Sequence, residues 1–90
     1  MKFMITWKIQ PGFYKGAVER FLKTGAPLPS GLKSMGRWHT AASSGFHLVE
    51  GTEAAVLEHM AGWADLLDLQ VAPVLEDAEV GAILSTLFGK

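Results

Sequence analysis

The side chains best suited to chemistry are concentrated in the middle of the chain. Arg37 could hold a carboxylate or an oxyanion through two parallel hydrogen bonds. His39 could transfer a proton near neutral pH, and Glu50 could either orient this histidine or pair with the arginine. Two aromatic residues of the same stretch, Trp38 and Phe46, could complete the wall of a pocket. These five residues are the candidate ligand-binding set, and Arg37, His39 and Glu50 are the candidates for catalysis.

A β-hairpin is predicted for this part of the chain. Two extended segments, residues 32–40 and 45–50, flank the small turn residues 41–44. We expect Thr40 to lie opposite Gly45 across the hairpin. Because side chains alternate between the two faces of a strand, this register assigns one face to Met35, Arg37, His39, Phe46, Leu48 and Glu50. The other face would then carry Ser34, Gly36, Trp38, His47 and Val49.

Two interpretations of Arg37, His39 and Glu50 follow from this register. In the first, they form the polar wall of a pocket for a small molecule. In the second, Arg37 and Glu50 form a partly buried ion pair and His39 fills space in the hairpin. Charged clusters are enriched at functional sites but are not confined to them. The residues alone leave both interpretations open, and with them the question whether the protein is an enzyme.

The histidines do not have the spacing of a metal site. Zinc needs three or four convergent ligands. The predicted register turns His39 and His47 to opposite faces, and the chain contains neither an HxH nor an HExxH motif. We therefore expect each histidine to be hydrogen-bonded or exposed, and we expect no metal and no cofactor.

The segment Gly45–Glu50 partly matches a strand signature of RNA-binding domains. The match fails at the residues that would bind, because Ser44 replaces the basic residue and Leu48 and Gly51 replace two aromatic residues on which bases would stack. The net charge of −1 gives no general attraction for phosphates. We expect no nucleic-acid partner.

The hairpin belongs to a longer series of alternating elements. Apolar residues recur at every second position in residues 2–9, which predicts a strand. In residues 13–24 they recur at every third or fourth position, which predicts an amphipathic helix, and Gly25 is suited to end it. The remaining predicted elements are a helix capped by Thr52, a strand at residues 69–75 and a final helix from about Asp77.

The predicted order, β-α-β-β-α-β-α, defines the fold class. Its first six elements form a ferredoxin-like α+β arrangement, in which two helices cover one face of an antiparallel four-stranded sheet. The last helix is an addition to this arrangement. Ninety residues make a single domain, which we place at residues 1–90. The second face of the sheet, the open face, has no helix to cover it.

The chain is more apolar than one small core requires. Hydrophobic residues make up 49% of its 90 residues, while a chain of this size buries only about 60–65% of its unfolded surface. The excess favours a partner surface. A two-fold homodimer through the open face is the simplest arrangement that would cover it.

The N-terminal segment does not predict export or membrane insertion. Lys8 and Pro11 interrupt its apolar run, which is too short for a signal peptide or a membrane helix. The chain has no cysteine, and therefore no disulfide or thiolate chemistry. We expect a cytoplasmic protein without a membrane partner.

Short motifs spread over nearly the whole chain carry a family resemblance. They are Thr6-Trp7, Pro11-Gly12, Arg20-Phe21, Thr24-Gly25-Ala26-Pro27, Gly36-Arg37-Trp38-His39, Gly45-Phe46, Val49-Glu50, Trp63-Ala64-Asp65-Leu66-Leu67 and Pro73-Val74. With these motifs the chain resembles the dimeric α/β-barrel superfamily, and within it a small bacterial family of a domain of unknown function. The resemblance implies ferredoxin-like subunits that pair their open faces to close a barrel. It implies no catalytic residues, because no enzyme motif of the superfamily matches here.

The sequence therefore predicts a homodimer that binds or slowly turns over a small acidic or aromatic ligand near Arg37 and His39. The alternative is a non-catalytic dimeric module, in which Arg37, His39 and Glu50 only fix the register of the strands.

Overall fold

The computed structural model of the protein describes residues 1–89. The elements follow one another as β1 (Lys2–Ile9), α1 (Tyr14–Thr24), β2 (Leu32–Thr40), β3 (Ser44–Gly51), α2 (Glu53–Ala61), β4 (Leu67–Val74) and α3 (Asp77–Phe88). This order confirms the ferredoxin-like α+β fold with an additional C-terminal helix. The ends of the predicted elements lie within two residues of the observed ones, with one exception. The apolar spacing of Val56, Met60, Trp63 and Leu67 predicts a longer second helix, but α2 ends at Ala61.

The four strands form one antiparallel sheet in the order β2-β3-β1-β4. The first strand is therefore central, and β2 and β4 are the edges. The edge position of β4 accommodates Pro73, which cannot donate a hydrogen bond to a neighbouring strand.

The ends of the helices match the capping residues in the sequence. Thr52 caps α2, and its side chain accepts a hydrogen bond of 3.2 Å from the backbone N–H of Ala55. Gly25 ends α1 in a left-handed conformation with φ of 71°, and its N–H donates to the carbonyl of Phe21 over 2.7 Å. Glycine adopts this conformation without the cost that a side chain would add.

Helices α1 and α2 cover the same face of the sheet. The hydrophobic core lies between α2 and this helix face, where Phe3, Ile5 and Val49 pack against Ala55 and Val56. Beside this core, α1 and the sheet enclose a cavity. The opposite face is the open face predicted from the sequence.

The β2–β3 hairpin has a different register from the predicted one. Thr40 lies opposite Ser44 rather than Gly45, because the turn contains three residues rather than four. Ser43 has a left-handed backbone with φ of 59°, and three-residue hairpin turns commonly end in such a residue. The hydroxyls of Thr40 and Ser44 close the turn at 2.6 Å. The sequence-based register was therefore wrong by one residue.

This shift regroups the side chains of the hairpin. Arg37 lies opposite His47 and His39 lies opposite Gly45, and the two histidines and the arginine face the helices at the cavity. The predicted common face for Arg37, His39, Phe46 and Glu50 was therefore wrong. On the open face these strands present Trp38, Phe46, Leu48 and Glu50.

A β-bulge in β2 adds a second irregularity. Ser34 pairs with Val49 and Gly36 pairs with Leu48, which leaves Met35 without a partner residue in β3. The extra residue brings Ser34 to the same face as Arg37, although the two positions are three apart.

The third helix lies apart from the core, and none of its residues is buried. No helix within residues 1–89 combines the length and the apolar character needed to cross a membrane.

The strands β1 and β3 approach closely at Gly45. The indole of Trp7 lies against this glycine, and a Cβ added there would overlap both the indole and the backbone carbonyl of Trp38. The absence of a side chain at this position therefore sets how Trp7 packs on the helix face.

We predict that Gly45→Ala destabilises the protein by about 1–3 kcal/mol, because backbone and ring would have to move apart. The matched control is Gly16→Ala in α1, where the nearest atom to an added Cβ lies at 3.6 Å. That substitution should be neutral or stabilise by up to about 1 kcal/mol through helix propensity. Urea unfolding of both variants measures the difference, and equal effects would contradict the packing described here.

Candidate functional site

The cavity between α1, α2 and the helix face has a volume of about 150 Å³. Its walls are mostly apolar and include aliphatic side chains of α1, β1 and β4. Three aromatic residues contribute to them: Trp7, Phe21 and Trp63. One arginine and three histidines complete the lining: Arg37, His39, His47 and His59.

The polar part of this lining is basic throughout. Within the described part of the chain, no aspartate or glutamate lines the cavity, and none forms an ion pair with Arg37. The guanidinium group of an arginine carries a positive charge. The cavity therefore combines a permanent positive charge with aromatic walls, an arrangement suited to an anion.

Arg37 is held at the end of α1. Its Nη1 donates to the carbonyl of Ala26 over 3.1 Å, and its Nη2 donates to the carbonyl of Gly25 over 3.2 Å. The guanidinium also lies 5.3 Å from the ring centre of Phe21, within the range of a cation–π contact. A guanidinium has five N–H groups, so these two bonds leave donors for a ligand.

His39 stands between two aromatic rings at the cavity. Its ring centre lies 5.4 Å from that of Trp7 and 5.4 Å from that of Phe21, with both pairs in edge-to-face geometry. Such contacts stabilise an imidazole without fixing its protons. His39 is therefore positioned by packing. Its ring nitrogens form no hydrogen bond with another residue among residues 1–89.

His47 and His59 form the buried end of the polar lining. Their ring centres lie 6.2 Å apart, and Nε2 of His47 shares a hydrogen bond of 2.8 Å with Oγ of Ser34. Burial, followed by the positive charge of Arg37, lowers the pKa of His47 to about 4. The same two causes lower the pKa of His59. Both imidazoles are therefore neutral at pH 7, and each can accept a proton.

A second arginine fixes the outer wall of the cavity. Arg20 of α1 forms two hydrogen bonds of 2.9 and 2.7 Å with the carboxylate of Asp65, and a third of 3.1 Å with the carbonyl of Gly62. Its guanidinium also lies 5.4 Å from the ring centre of Trp63. The hydrogen-bonded guanidinium lowers the pKa of Asp65. These contacts tie the segment after α2 to α1 and place Trp63 at the cavity.

The structure brings only two of the five predicted ligand-binding residues to the cavity. Arg37 and His39 line it, whereas Glu50, Phe46 and Trp38 lie on the open face. The reason is the one-residue difference in hairpin register. The suggested ion pair between Arg37 and Glu50 does not form, since Glu50 instead lies 3.6 Å from Nζ of Lys2. Trp38 stacks on Phe46 with ring centres 5.3 Å apart.

Sequence reasoning missed other residues of the site. His47 was assigned to the wrong face, and His59 and Trp63 were not connected with the hairpin. Their spacing of four residues is no signal of this arrangement, because α2 ends at Ala61 and Trp63 lies in the turn that follows. Within residues 1–89, no group of three or more His, Cys, Asp and Glu side chains is placed to hold a metal ion.

The fold and the cavity together define a ferredoxin-like α+β domain with a basic, aromatic-walled pocket between sheet and helices. A family of a domain of unknown function, DUF3303, matches residues 1–88. The chain therefore belongs to the DUF3303 family. No curated protein and no solved structure matches it.

We predict that His47 makes the stability of the protein depend on pH. Its pKa is about 4 in the folded state against 6.5 for an ordinary histidine, so the unfolded chain takes up the proton first. The contribution is fully present above pH 6.5 and is lost as the pH falls toward 4. The loss should be on the order of 2–3 kcal/mol.

Urea unfolding between pH 7 and pH 4.5 measures this effect. Other acids also titrate in this range, so the comparison is with His47→Gln, which keeps an amide near the position of Nε2 but cannot titrate. The difference between the two proteins should shrink as the pH falls. A difference that is constant with pH would rule out the assigned burial of His47.

Proposed function

We propose that the protein binds a small organic anion, with an aromatic or apolar body, in the cavity between the sheet and the helices. The observation that carries this proposal is a permanent charge on Arg37 without a carboxylate partner among residues 1–89, facing aromatic walls. A charge in a largely apolar setting is costly unless it is paired. A carboxylate on the ligand would supply that pair.

The volume of the cavity limits the size of the ligand. A protein cavity of about 150 Å³ can hold one benzene molecule, and this cavity has that volume. The apolar part of the ligand is therefore a single ring or a short branched chain. Trp7, Phe21 and Trp63 would contact its faces and edges, and Arg37 would receive its anionic group.

The lining side chains support one class of reaction if the ligand is turned over. Burial and the charge of Arg37 lower the pKa values of His47 and His59, so both imidazoles are neutral at pH 7, and one of them could take a proton from one carbon of the bound anion and return it to another. The negative charge that develops on the ligand during this transfer would lie near the guanidinium of Arg37, which would stabilise it. The reaction that these residues support is thus a proton transfer within a small acid.

A second candidate function also has a specific observation in its favour. Arg37 donates to the carbonyls of Gly25 and Ala26, so it stabilises the end of α1 even without a ligand. In this alternative the protein is a non-catalytic module, and Arg37 and His39 are structural. Glu50 has no part in it, because it lies on the other face of the sheet.

Benzoate is a suitable probe, and we predict that it shifts the indole resonances of Trp7 and Trp63 in an NMR titration. Benzyl alcohol, which has the same ring without the charge, should bind more weakly. Arg37→Met should lower the benzoate affinity at least about tenfold, as expected for a lost charged hydrogen bond. The control is Lys33→Met, which removes the same charge from the same strand and should leave binding unchanged.

The structural alternative predicts a different result. Wild-type protein would then show no saturable shift with benzoate. Arg37→Met would lower the free energy of unfolding by about 1–3 kcal/mol through its two lost hydrogen bonds. Measuring unfolding and binding on the same variant separates the two functions.

We also propose that the protein forms a homodimer in which the open face of each subunit is covered by the other copy. The support is an exposed aromatic pair, since Trp38 is 48% exposed and Phe46 is 38% exposed. Exposed apolar surface of this kind commonly marks an interface.

Sedimentation velocity at micromolar concentration should therefore give the mass of a dimer. Trp38→Lys, which places a charge in the proposed interface, should raise the dissociation constant at least about tenfold. The control Tyr14→Lys adds the same charge at an exposed aromatic residue of α1 and should leave the dimer intact. A monomeric wild-type protein would exclude the dimer and leave the ligand proposal untouched.

A further inference from the structure

The third helix exposes an apolar surface that its own subunit does not cover. None of its residues is buried, and its exposed large side chains are Val80, Ile83, Leu84, Leu87 and Phe88. A helix of this length is only marginally stable in water on its own. Helices of folded proteins gain most of their stability by packing an apolar face, so α3 lacks a packing partner in its own subunit.

An ion pair connects the start of α3 to the sheet. Nζ of Lys2 lies 3.6 Å from a carboxylate oxygen of Glu50 and 3.5 Å from one of Glu76. Glu76 and Glu79 form a reciprocal capping box at the first turn, in which the N–H of Glu76 donates to Oε1 of Glu79 over 3.1 Å.

This attachment sets the direction in which α3 leaves the subunit. Only two residues, Leu75 and Glu76, separate the end of β4 from the start of α3. Glu76 is occupied by the cap and by Lys2. The short connection and the ion pair therefore hold the first turn of α3 beside the start of β1.

The shape of the subunit shows how much surface remains uncovered. Its radius of gyration is 15.7 Å, against about 12 Å for a compact chain of 90 residues. Its accessible surface is 6169 Å², roughly 1,000 Å² more than the surface expected for a compact protein of this mass. A standard interface covers about 800 Å² on each partner, so the surplus matches one such interface.

We propose that α3 is an arm that lies on the open face of a second copy of the chain. This inference rests on the homodimer proposed above and is independent of the ligand. A helix of 12 residues is about 18 Å long, and four strands span roughly 14–19 Å across a sheet. The arm is therefore long enough to cross the partner's sheet.

Each copy contributes two surfaces to the dimer, its own α3 and its own open face. The apolar residues of α3, with Leu84 and Leu87 at their centre, would cover Trp38 and Phe46 of the other copy. Two-fold symmetry then covers both arms and both open faces at once. We infer that the partner is a second copy of the chain, because each chain carries both an uncovered helix and an uncovered sheet face.

Two exposed leucines provide a matched test. Leu87 of α3 is 65% exposed and Leu22 of α1 is 76% exposed, so replacing either by aspartate disturbs little in an isolated subunit. Leu87→Asp should raise the dissociation constant of the dimer at least about tenfold in sedimentation equilibrium. Leu22→Asp should leave it unchanged. Circular dichroism checks that both variants fold, and an unchanged dimer in Leu87→Asp would overturn the arm.

A photo-crosslinker at position 84 of the full chain locates the contact. In a mixture of ¹⁵N-labelled and unlabelled protein, mass spectrometry should find it joined to β2 or β3 of the other copy. The same probe at position 22 should give no such product. Crosslinks within one chain, or from α3 to α3, would overturn the arm, whereas a monomeric wild-type protein would remove the homodimer itself.

Discussion

The pairing of β2 with β3 decides what this domain can bind. Side chains alternate along a strand, so a shift of one residue moves every side chain of the hairpin to the other face. In the observed register, Arg37 and His39 join His47 on the face toward the helices. The bulge at Met35 keeps Ser34 on that face as well, where it bonds His47. The cavity lining, the exposed aromatic pair and the position of Glu50 all follow from this pairing.

In the cavity, the positive charge of Arg37 has no carboxylate partner among residues 1–89 and lies beside mostly apolar side chains. The carbonyls at the end of α1 stabilise the guanidinium of Arg37, because the negative end of a helix favours a cation. These carbonyls do not neutralise the charge, however, and the nearby imidazoles of His47 and His59 stay neutral instead of adding to it. The site can therefore pair with one negative group of a ligand, and its aromatic walls can contact the apolar part of the same small molecule.

The fold could be predicted because its strands and helices have clear periodicities and because Thr52 and Gly25 mark helix ends. The site could be predicted only in part. A left-handed Ser43 and an unpaired Met35 set the register, and neither residue type signals that conformation in a sequence. The roles of His47 and His59 depend on packing between elements far apart in the chain. Arg37 and His39 could be predicted as site residues because their side-chain chemistry, rather than the strand register, indicates them.

The close approach at Gly45 links two positions that are 38 apart in the sequence. The ring of Trp7 occupies the space that a side chain at position 45 would need. A side chain at position 45 would therefore require both a smaller residue at position 7 and a shift of the backbone at Trp38. Since that ring also lines the cavity and contacts His39, such a paired change would reshape the pocket. The residues at these two positions therefore act together on the size of the molecule that the pocket can hold.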